Sequence, residues 1–147
     1  MTPGTHPRRP WRSTGAVLAG VLAVIVLSTV TDVVMHATGV FPPWFQPMAD
    51  PLWLLATAYR FLYGVAGGWI TARLAPDRPM RHTLALGVVG LSLSIVGVAV
   101  AWGRGPEFGP AWFSIGLVVI ALPTAWLGGA LGRRERATRE VPRTASA

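Results

Sequence analysis

The sequence predicts an all-α integral membrane protein: four transmembrane helices in an antiparallel bundle, with both termini on the cytoplasmic side. Three observations lead there. Apolar residues make up 52% of the 147-residue chain and charged residues only 13%, too few to clothe a soluble domain. The apolar residues fall into four long runs, each near the about 20 residues that a helix rising roughly 1.5 Å per residue needs to cross a hydrocarbon core. Arginines punctuate those runs on alternate sides. Runs of this kind satisfy their backbone as helices, because a membrane barrel requires strands of alternating polarity.

The first span is expected over 14–34, behind a basic cytoplasmic segment, 1–13, that carries Arg8, Arg9 and Arg12. Its apolar stretch is longer than the core of a cleaved leader and no small-x-small site follows, so it reads as a retained helix. The connection 37–49 holds Val40, Phe41, Pro42, Pro43, Trp44 and Phe45. It is too apolar for a free loop and too broken for a span, and is expected to rest in the headgroup layer.

Asp50 followed by Pro51 marks the start of the second span, 51–74. Ala75, Pro76, Asp77, Arg78 and Pro79 cannot continue it, which turns the chain tightly into a third span, 83–102. Gly109 and Pro110 open the fourth, 111–132. The remainder, 133–147, carries five Arg and two Glu without apolar periodicity and reads as a disordered basic tail against anionic lipid headgroups.

Orientation follows from the arginines. Arg8, Arg9 and Arg12 precede the first span, Arg73, Arg78 and Arg81 flank the second turn, and Arg133, Arg134, Arg136, Arg139 and Arg143 follow the fourth. The other two connections offer only Arg104, so the basic ends are assigned to the cytoplasm. Trp44, Trp53, Trp102 and Trp112 mark one interface, and Trp11, Trp69 and Trp126 the other.

Composition also removes function classes. Without cysteine there is no disulfide, thiolate metal site or cysteine nucleophile. The net charge of +7 lies between apolar runs rather than along one face, so no nucleic-acid partner is expected. His6, His36 and His82 fall on different segments, which argues against a metal. No nucleophile elbow or phosphate loop is present, and the acidic residues are scattered. No catalytic residue and no cofactor are expected.

The polar residues that matter are those inside the spans. Arg60 falls about nine residues, or ~13 Å, below the nearer boundary, where a cation costs from about 2.5 to above 10 kcal/mol unless partnered or hydrated. Asp32, near the end of the first span, leans along its helix toward Arg60 if the two helices are antiparallel neighbours. His36 and Thr29 share the Asp32 face, and Tyr59 and Tyr63 flank Arg60. The cluster Asp32, His36, Tyr59, Arg60, Tyr63 reads as a buried structural ion pair, as a proton relay or anion site, or as an Arg60 that snorkels to the headgroups.

Small residues four apart let helices approach closely, and Gly64 with Gly68, Gly128 with Gly132, and Gly90 with Ser94 supply such faces. They serve either contacts within one bundle or a homo-oligomer. Gly67–Gly68 before Arg73 and Gly128–Gly129 before Arg133 echo one another, as two related hairpins or by coincidence.

The run Gly67, Gly68, Trp69, Ile70, Thr71, Ala72, Arg73, Leu74, Ala75, Pro76, with Arg78, Pro79, Met80, Arg81 and His82, resembles small four-helix bacterial inner-membrane proteins of no assigned activity. That resemblance spans helices two to four. It implies a multi-pass location in a bacterial cytoplasmic membrane and transfers no functional residue. The residues themselves lead to an expected non-enzymatic structural or interaction subunit, packing with itself or within a larger membrane complex. The alternative is a small transporter or channel subunit for protons or anions that uses the polar cluster.

Overall fold

A computed structural model describes residues 10–144, and their side chains over 11–138. Arg8, Arg9 and the last three residues lie outside the described part, as do the side chains of Arg139 and Arg143. The chain is all-α: α1 (Pro10–Ala37), α2 (Asp50–Leu74), α3 (Pro79–Ala101), a single 3₁₀ turn (Pro106–Phe108) and α4 (Ala111–Thr144). No strand occurs among the described residues.

Three helical segments are long and apolar enough to cross a membrane: Trp11–Ala37, Pro79–Ala101 and Pro106–Thr138. The helix α2 is less apolar because Arg60, two tyrosines, two threonines and four alanines replace aliphatic residues along it. It is also the helix most enclosed by the others, with Trp53, Ala56, Tyr59, Gly67, Gly68, Thr71 and Ala72 buried.

Proline sets two of the helix starts. Pro51 and Pro79 lie in the first turns of α2 and α3, where the missing N–H would have had no partner in any case. The third helix therefore begins at Pro79 rather than at 83. The link between α2 and α3 is short enough to hold Arg78 at φ +44°, a left-handed conformation.

The end of α4 corrects the sequence-based expectation of an irregular tail after residue 132. The helix continues to Thr144. Arg and Glu are good helix formers, and the first extra turn is tied to α2. Arg73 pairs with Glu135, and Arg136 Nη2 donates to the carbonyls of Arg73 (2.6 Å) and Ala75 (2.7 Å). Arg136 thus satisfies carbonyls that the end of α2 leaves without intrahelical donors.

The bundle is assembled on α2 and α4, which touch along small residues. A Cβ on Gly68 would stand 2.6 Å from the Ala125 carbonyl oxygen, and one on Gly64 2.6 Å from Thr124 Oγ1. From the other side, Gly128 abuts the Val65 carbonyl and Gly132 the Ala72 methyl group. The neighbouring glycine of each pair faces a flanking helix. Gly67 meets Gly20 of α1, with a Cβ at either position 3.0 Å or less from the other's carbonyl oxygen, and Gly129 meets Thr83 of α3. One glycine pair therefore serves two contacts, because residues one apart point in directions about 100° apart around a helix of 3.6 residues per turn.

Gly90 does not belong to this set. Nothing lies within 4 Å of where its Cβ would be, so among the described residues no close packing forms at Gly90 of the expected Gly90–Ser94 face.

The contacts define two ends. Phe41, Trp53, Ala56, Tyr59 and Phe113 form a buried aromatic cluster at the end that carries Trp44. Gly20, Thr71, Thr83 and Gly129 gather toward the end that carries Arg78. Gly68→Val is expected to lower unfolding stability in detergent by about 3 kcal/mol through overpacking, whereas Gly97→Ala, with open space around it, leaves the thermal midpoint unchanged or raises it.

Candidate functional site

Asp32 and Arg60 meet across α1 and α2. Arg60 Nη2 donates to Asp32 Oδ2 at 2.6 Å. The hydroxyl of Tyr59 donates to the other carboxylate oxygen, Oδ1. Arg60 Nη1 in turn donates to that hydroxyl at 2.8 Å and to the carbonyl of Ala56, one turn back, at 3.1 Å. The guanidinium lies 5.0 Å from the Tyr59 ring centroid and 5.7 Å from that of Phe113, within reach of the attraction between a cation and an aromatic face.

The result is a closed triangle in which each polar group answers another. Both carboxylate oxygens are engaged, and the Tyr59 hydroxyl donates once and accepts once. Of the five N–H groups of Arg60, three are used and two have no acceptor within the described chain. The side chains of Arg60 and Asp32 are 24% and 23% exposed, so the pair is sheltered but reachable from one side.

Two residues expected in this cluster serve elsewhere. Tyr63 bonds through its hydroxyl to Thr31 Oγ1 at 2.8 Å, one face of α1 away from Asp32, and touches the cluster only through its ring, 5.7 Å from that of Tyr59. His36 shares a face with Asp32 by spacing but turns to the connection that follows α1. Its Nδ1–H donates to the Pro42 carbonyl at 2.6 Å, and its ring stacks on Trp44 at 3.6 Å and meets Phe41 edge-on at 5.5 Å. His36 thus anchors the loop 38–49. Phe41, 3% exposed, is pinned by the same fold-back and seals the aromatic cluster.

Beside the triangle lies a cavity of about 510 Å³. The helices α1 and α3 form its sides and α4 its floor, while α2 contributes Arg60 and Gly64. It runs from Leu86 and Ala125 at one end to Asp32, Arg60 and Phe113 at the other. Five hydroxyl residues line it, Thr124 and the four Ser28, Thr29, Ser94 and Ser114. None of these four makes a hydrogen bond within the described chain, whereas Thr38, Thr57, Ser92, Thr124 and Thr138 all bond back to the carbonyl one turn earlier.

The chain matches no known protein family, no curated protein and no solved structure. Its chemistry is carried by these residues alone. As a unit, the triangle neutralises a cation and an anion in place and orients a guanidinium edge beside a cavity. The sequence pointed to Asp32, Tyr59 and Arg60. It did not point to the cavity, because Ser28, Ser94 and Ser114 come from three helices with no common spacing. Nor did it single out Arg136, one basic residue among five.

Tyr59→Phe removes one donor and one acceptor from the triangle and is expected to lower unfolding stability by about 2 kcal/mol, while Tyr63→Phe costs about 1 kcal/mol or less. Chemical unfolding in detergent, followed by tryptophan emission, compares the two.

Proposed function

We propose that the chain is a four-span, non-enzymatic subunit of a bacterial cytoplasmic membrane, an antiparallel bundle with both termini inside, and that the Asp32–Tyr59–Arg60 triangle is a structural clamp between α1 and α2. Outward residues on every helix support the membrane setting. Leu62 of α2 is 63% exposed, Val96 of α3 60% and Val119 of α4 63%, apolar surface that water does not tolerate but lipid does. The crossing of α2, the least apolar helix, is supported by the fact that its polar residues turn inward, toward Asp32 and Thr31.

Charge supports the orientation. Arg73, Arg78, Arg81, Arg133, Arg134 and Arg136 gather at one end of the bundle, and among the described residues Arg104 is the arginine in the connection at the other. Retention of arginine on the cytoplasmic side then sets both termini inside. The bacterial assignment rests on the resemblance in the segment from Gly67 to His82.

The observation that carries the clamp reading is that Asp32 and Tyr59, the groups that could exchange a proton, are bonded within the triangle. With both oxygens of Asp32 engaged and the Tyr59 hydroxyl proton given to one of them, the carboxylate and the phenol have no proton to pass without breaking the triangle's own bonds. A sheltered pair of this kind costs desolvation, which its geometry offsets, and its loss on one side strands a charge. The cavity beside Arg60 favours a second reading, a small transporter or channel subunit.

Arg60→Leu alone is expected to lower stability by about 3–5 kcal/mol, and the double variant Asp32→Leu with Arg60→Leu to recover most of that loss. A double variant no better than the single one sinks the clamp. For topology, the cysteine-free chain permits single-site labelling. Phe45→Cys is expected to react with an impermeant thiol reagent on intact cells, and Asp77→Cys only after the membrane is opened. Rapid labelling of Ser94→Cys by that reagent would instead support a water-filled path and the transport reading.

A further inference from the structure

We propose that the cavity between α1 and α3 is a binding site for a slender neutral amphiphile, one alkyl chain bearing a carbonyl-containing head, seated with its head at Arg60 and its chain toward Leu86. The proposal rests on the chain's lying in a bilayer, which the labelling above tests by itself.

The first argument is size. A cavity of about 510 Å³ falls within the roughly 300–1,000 Å³ typical of small-molecule sites. The stretch of α1 that lines it, Val21 to Asp32, rises about 16 Å. An alkyl chain with a small polar head fits that length and volume, and a partner helix in its place is an outcome that the test below distinguishes.

The second argument is polarity along the length. Thr29 lies one turn of α1 from Asp32, and Ser28 and Ser114 lie in the same half as Arg60, whereas Val21, Val24, Leu86 and Ala125 line the far end, where the hydroxyl of Thr124 is already spent on the carbonyls of Ile120 and Ala121. An occupant matching this lining has one polar end and one apolar end. Its orientation is fixed by the same asymmetry.

The third argument is charge. Asp32 already balances Arg60, so the triangle is neutral overall and a second anion at the guanidinium would face the carboxylate. What remains on offer is hydrogen-bond donation: two N–H groups of Arg60 and the unpartnered hydroxyls of Ser28, Thr29, Ser94 and Ser114. A neutral acceptor answers that set, and a carbonyl oxygen is a neutral acceptor that lipid-soluble molecules commonly carry. A quinone ring and a glyceride ester both supply it.

The site can be closed without disturbing the fold, because nothing lies within 4 Å of a Cβ built on Gly90 or Gly97, both of which line the cavity. Gly90→Leu and Gly97→Leu would fill it. Binding is to be measured on the full chain by native mass spectrometry from detergent, with four probes of equal chain length: decyl-benzoquinone, monodecanoylglycerol, decylbenzene and decanoate. At least one carbonyl probe is expected to bind the native chain, about tenfold more tightly than decylbenzene or decanoate. Gly90→Leu and Gly97→Leu are expected to abolish that binding with no fall in thermal midpoint, and Ser94→Ala to weaken it about threefold.

Which carbonyl probe binds identifies the head. Equal binding of decylbenzene, or tighter binding of decanoate, overturns the proposal, as does carbonyl-probe binding unaffected by Gly90→Leu and Gly97→Leu. A second copy of the chain released by Gly90→Leu, with no probe bound, assigns the cleft to a helix and overturns it as well.

Discussion

Everything in this molecule is arranged around the near-contact of two backbones, α2 and α4, at Gly64, Gly68, Gly128 and Gly132. Within lipid, helices gain little from hiding aliphatic side chains from one another, since the surrounding tails are equally apolar. Close van der Waals contact between backbones is what remains, and only residues without bulk permit it. Once α2 and α4 are joined there, the adjacent glycines, Gly67 and Gly129, face outward to α1 and α3. Two pairs of consecutive glycines thereby place four helices.

That placement makes Arg60 tolerable. Gly67 against Gly20 sets the spacing of α1 and α2 in their lower halves, and two to three turns further along, the same pair of helices brings Asp32 to Arg60 and Tyr59. A charge on a helix facing lipid bends the bilayer or drags in water. Here the helix that carries it is the one most wrapped by its neighbours, so the cost is met by side chains of fixed position. The aromatic cluster of Phe41, Trp53 and Phe113 closes the approach from the Trp44 end, and His36 holds the loop that delivers Phe41.

The parts legible in the sequence are those governed by local spacing or by a strong penalty. Four helices follow from apolar length, and the Asp32–Arg60 pair from the cost of an isolated cation and the lean of side chains along antiparallel helices. His36 was misplaced because periodicity fixes only where a side chain starts. The ring turns to Pro42 and Trp44 where the next loop folds back on the helix end, a turn that helical spacing does not encode. Gly90 looked like Gly64 and Gly128 because small-x-x-x-small patterns report a capacity for contact, while the partner decides its use. The tail of α4 misled for the opposite reason: without apolar periodicity it lacks a core-facing stripe, yet Arg136 reaches the carbonyls of Arg73 and Ala75 and extends the helix by capping another. The cavity belongs to no single segment, so no window of sequence contains it.

The mounting of α3 has a mechanical consequence. It is gripped near its start, where Thr83 and Gly87 press on Gly129 and Ala125 of α4, while Gly90 and Gly97 stand clear of any neighbour. A rod clamped at one end is stiff against sliding and soft against swinging. The width between α1 and α3 beyond Gly87 is therefore the dimension of the bundle held least by close packing.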